Sequence, residues 1–262
     1  MNLIEKKFAE LKSKGHKALI SYLTAGFPDV ATSFQVMRAT QQWGSDLLEI
    51  GVPFSDPIAD GPVIQHASYQ SLKQGITLTE IFLLCQKLNK ELTIPYLLMS
   101  YYNPIYQYGL RNFARDCRNS GVSGVIVPDL SLEESEDLQS ILRQEKIHLI
   151  YFITPFTPIS RMKQIIRKAT GFLYIISVAG VTGERKGFDP KLVRCLETVG
   201  RLTTLPQAVG FGVSKAEQVR ALSRKADGVI VGSYFVRKMA DGKISELERA
   251  MREFSQIVHV YG

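Results

Sequence analysis

The sequence predicts an α/β fold, a (β/α)8 TIM barrel, and three observations lead to that prediction. Eight short apolar runs alternate with amphipathic segments along the 262 residues. The runs are apolar at successive positions, as in strands that are buried on both faces of a parallel sheet. No Gly-rich dinucleotide turn follows the first run, which favours a closed barrel over a doubly wound open sheet. We therefore expect a single (β/α)8 barrel domain over residues 1–262.

The predicted elements follow one another in a regular order. An additional N-terminal helix comes first, with the apolar residues between Leu3 and Leu11 on one face. A short extra helix is predicted near residues 63–72, in the longest gap, which follows the second strand. The last helix begins at about Ile244. The eight predicted strands are residues 18–23, 46–52, 94–99, 124–127, 148–154, 172–178, 207–211 and 228–231.

Three of the intervening helices carry start signals. Ser131 with Glu134, and Ser214 with Glu217, have the spacing of capping boxes, in which each side chain bonds a backbone N–H group at the helix start. The pair Asp189-Pro190 predicts an N-cap followed by proline at the first helical position.

Composition and charge exclude several functional classes. The chain is 45% hydrophobic and 22% charged, as soluble globular proteins are, and its net charge is +7. A basic balance suits nucleic acid, a membrane surface or an anionic metabolite, but the charges are scattered and form no stripe with interleaved aromatic residues, so nucleic acid is disfavoured. No run approaches the roughly 18 apolar residues of a membrane span, and no signal peptide is evident. We expect a protein that works where it is made, without membrane contact.

Cysteine and histidine spacing gives no sign of a metal site. Cys85, Cys117 and Cys195 lie far apart in apolar helical patterns, which indicates buried free thiols in a reducing compartment. The four histidines lack metal-ligand spacing.

The stretch LLEIGVPFSDPIADGP, residues 47–62, places an acid inside an apolar strand. Leu47, Glu49 and Gly51 share one face by alternation, and the opposite face is apolar and suits the helix layer. Glu49 should therefore point into the mouth of the barrel, with Gly51 leaving room for a ligand above it. A carboxyl group there loses water, which raises its pKa and suits it to proton transfer near neutral pH. The alternative is a structural glutamate bonded to neighbouring polar groups.

Two further acids follow in the loop. Asp56 and Asp60 both lie in sequences that favour turns, so each aspartate is either a turn former or a functional group. A hard-cation site built from Glu49 and these two acids is a further alternative. It is disfavoured because no fourth oxygen ligand lies nearby in the sequence.

The loops after the last three strands suggest a phosphate site and a lid. Gly210 and Gly212 lie at the end of the seventh strand, and Gly232 with Ser233 follows the eighth. Barrels commonly bind phosphate with the backbone N–H groups of these two loops and a helix N-terminus. The segment Gly180–Gly187, with its charged tip, is either a mobile lid over the site or a long surface connection.

These motifs together resemble the tryptophan synthase alpha subunit family. LEIGVPFSDPIADGP is similar to the family signature nearly end to end. SYLTAG, IPYLLMSYYNP, VIVPDL, SVAGVTG, VGFGVS and GSYFV follow in the family's order, so that the resemblance covers essentially the whole chain. It implies cleavage of indole-3-glycerol phosphate to indole and glyceraldehyde 3-phosphate, a retro-aldol reaction of tryptophan biosynthesis without metal or cofactor.

The resemblance also implies roles for individual residues. Glu49 matches the catalytic glutamate that protonates the indole carbon bearing the side chain and accepts the glycerol hydroxyl proton. Asp60 matches the aspartate that bonds the indole N–H, and Tyr174 matches the active-site tyrosine. Expulsion of a carbon leaving group needs one protonated and one ionised acid, so the two environments must separate the pKa values. Residues that match substrate-binding positions are Tyr22, Met99, Phe211, Thr182, Gly183, Gly212, Gly232 and Ser233.

The chain departs from the family pattern at three of the quoted positions. Tyr22 replaces the commoner phenylalanine, and Met99 stands where leucine is frequent. Both keep apolar bulk and should change the pocket shape only slightly. Val178 stands where some members carry arginine, which bears on how the lid is latched.

The resemblance further implies a beta-subunit partner in an alpha2-beta2 heterotetramer, with pyridoxal phosphate only on the beta subunit. Asp56 matches a loop residue that faces that partner. The implied location is the cytoplasm, or the plastid stroma if the chain is plastid-encoded. Two alternatives stay open: a free-standing indole-releasing lyase of the same fold, and a catalytically weak regulatory subunit that activates a beta chain.

Overall fold

A closed barrel of eight parallel strands forms the centre of the molecule. The computed structural model describes residues 2–177, 189–210 and 212–260. Each strand pairs with its neighbours in chain order, and the first strand pairs with the last. The strands are β1 Ala18–Thr24, β2 Leu47–Gly51, β3 Tyr96–Met99, β4 Gly124–Ile126, β5 His148–Ile153, β6 Leu173–Ile176, β7 Gln207–Gly210 and β8 Gly228–Val231. The predicted fold class is therefore confirmed.

Helices surround the barrel, and both additional helices are present. The N-terminal helix precedes β1, and α3 is the extra helix that was expected after β2. The described helices are α1 Leu3–Ser13, α2 Val30–Ala39, α3 Pro62–Lys73, α4 Leu78–Leu88, α5 Tyr102–Tyr108, α6 Leu110–Asn119, α7 Glu136–Gln144, α8 Ile159–Lys168, α9 Pro190–Leu202, α10 Ala216–Ser223, α11 Ser233–Ala240 and α12 Ile244–Val260. No helix within these described parts of the chain is sufficiently long and apolar to cross a bilayer.

Two of the three predicted helix starts need correction. Asp189 caps α9 as expected, because its Oδ1 accepts a hydrogen bond from the backbone N–H of Lys191 at 2.8 Å. Ser131 and Glu134 do bond each other, but in a turn that precedes α7. At α10 the reciprocal acceptor is Gln218, not Glu217.

The correction at α10 has a simple geometric cause. The side-chain oxygen of Gln218 accepts from the backbone N–H groups of Ser214 and Lys215, at 2.9 and 3.0 Å. The helix starts at Ala216, so Gln218 occupies its third position, from which a side chain reaches back to the preceding backbone. The cap of α10 therefore involves Lys215 and Gln218, one residue later in the chain than the predicted pair.

Strand register brings the interior side chains of neighbouring strands together. In the β1–β2 ladder Tyr22 lies opposite Glu49, and Thr24 lies opposite Gly51. In the β6–β7 ladder Tyr174 lies opposite Ala208. Every residue of β1 and β2 is buried, as expected of strands covered on both faces. The register thus places Tyr22 and Glu49 side by side inside the barrel, near the carboxyl ends of their strands.

Candidate active site

A cavity of about 200 Å³ opens at the carboxyl ends of the strands. This end of a TIM barrel holds the active site in characterised enzymes of the fold. Eight of the residues singled out in the sequence lie in its lining, drawn from both ends of the chain. The lining residues are Tyr22, Glu49, Asp60, Gly61, Ile64, Met99, Tyr174, Gly212, Val213, Ile230, Gly232 and Ser233.

Some expected site residues lie outside the described residues. These are Phe211, Thr182 and Gly183, together with Val178 and the whole predicted lid, Gly180–Gly187. The roles given to them above remain predictions.

Glu49 points into the cavity from β2 and is almost completely buried, at 1% exposure. Neither of its carboxyl oxygens forms a hydrogen bond with any described residue. Burial raises the pKa of Glu49 to about 8, and the nearby Asp60 carboxylate adds to the rise. The group is therefore largely protonated at neutral pH and can donate a proton to a substrate.

Asp60 enters the same cavity from the loop between β2 and α3, and it is half-buried. Burial raises the pKa of Asp60 to about 6, and a hydrogen bond from Tyr101 works in the opposite direction. The two acids thus share a cavity but differ in pKa, because Glu49 lies deeper than Asp60. At neutral pH Asp60 is mostly ionised while Glu49 is mostly protonated.

Tyr101 is a site residue that the sequence reasoning missed. Its hydroxyl donates to Asp60 Oδ2 at 3.1 Å and accepts from the backbone N–H of Ala59 at 2.9 Å. Its ring stacks on Phe54, with the ring centroids 5.1 Å apart. A buried tyrosine just after β3 therefore fixes the start and the end of the loop that carries Asp60. The signals available in the sequence were the position of Tyr101 just after a strand and its place within the motif IPYLLMSYYNP.

Two glycines allow the aromatic walls of the cavity to form. A Cβ atom placed on Gly51 would lie 2.0 Å from the Tyr22 hydroxyl oxygen, and one on Gly210 would lie 2.5 Å from that of Tyr174. Such distances are far below van der Waals contact, so each phenol lies flush against bare backbone. The expectation that Gly51 leaves room for a ligand is therefore wrong, because Tyr22 fills that space.

Tyr174 rises from β6 on the opposite side of the cavity. Its ring lies 4.9 Å from that of Phe152, measured between centroids. Burial raises the pKa of Tyr174 well above its usual value, and the charge of Glu49 adds to that effect. The phenol is therefore neutral at neutral pH, and it lies close enough to Glu49 for the two groups to interact electrostatically.

The other end of the cavity offers backbone N–H groups. Gly212 has a φ of +76°, a conformation that favours glycine, and no atom lies within 4 Å of where a Cβ would stand. Ser233 is the first residue of α11, directly after Gly232. The N–H groups of a first helical turn have no partner within the helix and attract anions. This end can hold a phosphate group.

Comparison with known proteins decides the family. The family model for the tryptophan synthase alpha chain matches residues 8–260. The tryptophan synthase alpha chain of Thermoanaerobacter pseudethanolicus is 38% identical over 259 residues, which is 98% of each chain. The chain belongs to this family.

Solved structures agree with that assignment. The tryptophan synthase subunit alpha of Legionella pneumophila superposes with a TM-score of 0.90 at 32% identity, over 98% of each chain. A chain of tryptophan synthase from Mycobacterium tuberculosis, solved in an aminoacrylate-bound form, gives a TM-score of 0.90 at 28% identity, covering 98% of this chain and all of that one.

As a member of the tryptophan synthase alpha chain family, the chain is a lyase of tryptophan biosynthesis that cleaves indole-3-glycerol phosphate. The cavity matches that substrate in general character. It has an aromatic and apolar end with two acids, and a glycine-rich end with a helix N-terminus.

Asp56 is separate from this cavity, although it lies on the same loop as Asp60. It is exposed, and its carboxylate accepts a hydrogen bond from the neighbouring Ser55 hydroxyl at 2.5 Å. Ile58, two residues later, is 83% exposed. Among the described residues no three His, Cys, Asp or Glu side chains are grouped so that they could hold a metal ion. The three acids of this stretch therefore do not converge on one point.

Proposed function

We propose that Glu49 is the proton donor of the cleavage reaction in this chain. Cleavage requires protonation of the indole carbon that bears the glycerol side chain, because the ring carbon otherwise leaves as an unstable carbanion. The observation that supports this role is the raised pKa of Glu49, about 8, in a cavity shared with a second acid. A carboxyl group that is protonated at neutral pH is a competent general acid. The resulting carboxylate then accepts the glycerol hydroxyl proton as the carbon–carbon bond breaks.

Asp60 has the complementary role in this proposal. Its pKa of about 6 leaves it ionised at neutral pH, so it can accept a hydrogen bond from the indole N–H. The N–H group becomes more acidic as positive charge develops on the protonated ring, so this interaction strengthens in the transition state. Tyr101 holds Asp60 in place, and Tyr174 completes the catalytic set on the other side of the cavity.

The substrate would lie with its ring between the aromatic walls and its phosphate at the glycine-rich end. We assign the ring to Tyr22 and Met99, with Phe211 expected nearby, and the phosphate to the loops after β7 and β8. There the contributing residues are Gly212, Gly232 and Ser233, with Thr182 and Gly183 expected from the lid. Ser233→Ala should weaken binding of inorganic phosphate about tenfold to a hundredfold, the loss of one hydrogen bond to a charged group. Indole binding should stay unchanged.

The decisive experiment is Glu49→Gln, which removes the proton donor and preserves volume. Turnover should fall by roughly 10²–10⁴-fold, as is usual for a general acid–base group. Calorimetric binding of a non-cleavable substrate analogue should persist. Glu217→Gln, on the exposed start of α10, is the matched control and should leave turnover unchanged. More than a tenth of wild-type turnover in Glu49→Gln would exclude the proposed role.

We further propose that the loop bearing Asp56 docks a tryptophan synthase beta chain in an alpha2-beta2 assembly. Exposed Ile58 and Asp56 form a prominent surface directly beside the acid Asp60. Contact there can act on Asp60 through the short loop segment between them. Pyridoxal phosphate is expected only on the beta chain.

Mixing the chain with a beta subunit tests this assembly and separates the alternatives. Turnover should rise on mixing, and Asp56→Asn should reduce that rise without changing the rate of the free chain. A free-standing lyase would show no rise. A regulatory subunit would show negligible cleavage alone but would still activate the beta chain.

A further inference from the structure

A second cavity, of about 360 Å³, lies at the opposite end of the barrel from the candidate active site. It is bounded by the end of α1, the end of α9 and the residues at the starts of β1, β7 and β8. Its volume is comparable with that of small-molecule sites, which are about 300–1,000 Å³. The proposed function makes no use of this cavity.

Gln207 places an amide group in the wall of the second cavity. The Tyr174 hydroxyl lies over Gly210, which therefore faces the barrel interior, so by alternation Gln207 and Val209 face the helix layer. Apolar residues usually occupy such positions in a barrel strand. Gln207 is nevertheless buried, at 8% exposure, and its Oε1 has no hydrogen-bond partner among the described residues.

This unpartnered oxygen resembles those of the candidate active site. Within the described parts of the chain, buried side-chain polar atoms without a partner occur in Thr24, Glu49, His148 and Gln207. Glu49 lines the catalytic cavity, and Gln207 lines the second one. A buried acceptor without a partner costs free energy, and a ligand that donates a hydrogen bond removes that cost. We therefore expect Gln207 to accept a hydrogen bond from a bound molecule.

The rim of the second cavity carries charges of both signs. Asp227 Oδ2 accepts from the backbone N–H of Gln207 at 3.0 Å, and Asp227 Oδ1 lies 3.7 Å from Lys17 Nζ. Lys12, in the last turn of α1, lies in the same lining and is exposed. It forms no ion pair with any described residue. Its ammonium group can therefore bind a carboxylate.

The end of α9 adds acceptors to the second cavity. The helix ends at Leu202, and the carbonyl groups of its last turn have no partner within the helix. This end of a helix carries a partial negative charge, which attracts cations. Gly200 in the last turn and Thr203 just after it both line the cavity. Together with Gln207 Oε1 and the Asp227 carboxylate, these groups suit an ammonium group.

Much of the remaining wall is apolar. Phe8 and Leu11 contribute from α1, and Leu205 and Pro206 contribute from the segment before β7. The cavity thus combines an acceptor side, an unpaired cation and an apolar surface. A small molecule with an ammonium group, a carboxylate and an apolar side chain is an α-amino acid.

We propose that the second cavity binds a free α-amino acid with an apolar side chain. Its ammonium group donates to Gln207 Oε1, its carboxylate pairs with Lys12, and its side chain packs against Phe8 and Leu205. The ligand connects α1 and β1, from the start of the chain, with α9 and β7 near its end. Binding should therefore stabilise the folded barrel increasingly as the ligand concentration rises.

The test measures binding of L-phenylalanine to the full-length chain, by calorimetry and by the rise in melting temperature. Two smaller compounds are the chemical controls: 2-phenylethylamine lacks the carboxylate, and 3-phenylpropionate lacks the ammonium group. Each should bind about tenfold more weakly than L-phenylalanine or worse, because each loses a charge-assisted hydrogen bond. Saturating indole should not displace L-phenylalanine, because indole belongs in the cavity at the other end of the barrel.

Three variants locate the site within the molecule. Gln207→Leu removes the amide at similar volume and should weaken binding about tenfold. Lys12→Gln removes the exposed cation and should weaken binding by about two- to fivefold. Gly200→Leu adds bulk to the cavity wall from an exposed helix position, while raising helix propensity, and should abolish binding. Lys14→Gln, an exposed lysine near Lys12 that pairs with Glu10, is the matched control and should bind normally.

Several results would overturn the proposal. They are an absence of saturable binding, binding that survives Gly200→Leu, and displacement of L-phenylalanine by indole. Lys12 and Gly200 are exposed, so their variants keep the fold and decide the question even if Gln207→Leu is unstable. Binding is measured without turnover, so the result is independent of the function proposed for the catalytic cavity.

Discussion

The hydroxyl of Tyr101 donates a hydrogen bond to Asp60 Oδ2 at 3.1 Å, although the two residues are 41 positions apart in the chain. The same hydroxyl accepts from the N–H group of Ala59. One phenol therefore controls both the direction of the carboxylate and the path of the backbone that carries it.

Removal of this hydroxyl should change the reaction in a pH-dependent way. In Tyr101→Phe the ionised form of Asp60 loses a donor, so its pKa rises above about 6. The acid limb of kcat/KM should move to higher pH, and turnover at pH 6 should fall more than turnover at pH 8. Rate profiles of the variant and of Tyr106→Phe, an exposed tyrosine on α5, provide the comparison. Identical profiles in the two variants would contradict this prediction.

The wild-type enzyme should show a bell-shaped pH dependence of kcat/KM. Asp60 must be ionised, so activity falls as the pH drops through about 6. Glu49 must be protonated, so activity falls as the pH rises through about 8. The maximum should therefore lie between these values. Initial rates in buffers of constant ionic strength from pH 5 to 10 measure it, and a rate that keeps rising to pH 10 would rule out Glu49 as the acid.

Glu49 should also make the stability of the fold depend on pH. Its pKa is higher in the folded state than in the unfolded chain, so the folded state binds the proton more tightly and stability declines between about pH 4.5 and 8. Glu49→Gln cannot ionise and escapes this decline. At pH 9 its free energy of unfolding should exceed that of the wild type by about 5 kcal/mol, the equivalent of a rise in pKa from 4.5 to about 8, with little difference at pH 4. Urea unfolding at the two pH values measures this, and a constant difference would contradict it.

Gly51 should tolerate no side chain while Tyr22 is present. Gly51→Ala places a methyl group 2.0 Å from the phenol oxygen and 2.5 Å from the ring carbon that bears it. Overpacking of this kind costs about 1–3 kcal/mol. Gly200→Ala, on helix α9, is the control. Its added methyl group would come no closer than 3.4 Å to Gln207, which is an ordinary contact distance. In thermal unfolding, Gly51→Ala should have a lower melting temperature than the wild type, and Gly200→Ala should not.

The last helix should depend on a buried polar contact at the opposite end of the barrel. His259 Nε2 on α12 lies 3.0 Å from Asp46 Oδ2, an oxygen that also accepts from the N–H group of Leu19 on β1. His259→Ala should lower the free energy of unfolding by about 1–3 kcal/mol, since it removes one partner of a largely buried carboxylate. Lys14→Ala, which breaks an exposed pair with Glu10, should cost less than about 1 kcal/mol. Equal losses in urea unfolding would contradict this ranking.

The strands and the direction of Glu49 could be predicted because they depend on local periodicity. Runs that are apolar at most positions, without a polar face, predicted the eight strands, and alternation in residues 47–51 predicted which way Glu49 points. The helix starts at Glu136 and Ala216 were placed less well. There several residues compete for the same backbone N–H groups, and the local pattern alone does not show which one succeeds.

Contacts that depend on the path of a loop could not be predicted in this way. Tyr101 bonds Asp60 because the loop after β2 folds back over the end of β3, which no spacing in the sequence reveals. Gly51 was read correctly as a position without bulk, but the group that uses the space comes from the neighbouring strand. Such contacts depend on the register between paired strands and on the direction in which each side chain extends. Both are properties of the assembled barrel.

The pairing of β1 with β8 has a consequence for the order in which the chain can fold during synthesis. Ala18 to Ser21 find their second neighbour only in Gly228 to Val231, about two hundred residues later. A ribosome releases the first strand long before the last one exists, so β1 keeps an unpaired edge for most of translation. Closure must then bring together distant segments, which is an entropically slow step. A nascent chain arrested before Gly228 should therefore have an open sheet even if its first seven strands have paired, and its exposed edges need protection from aggregation.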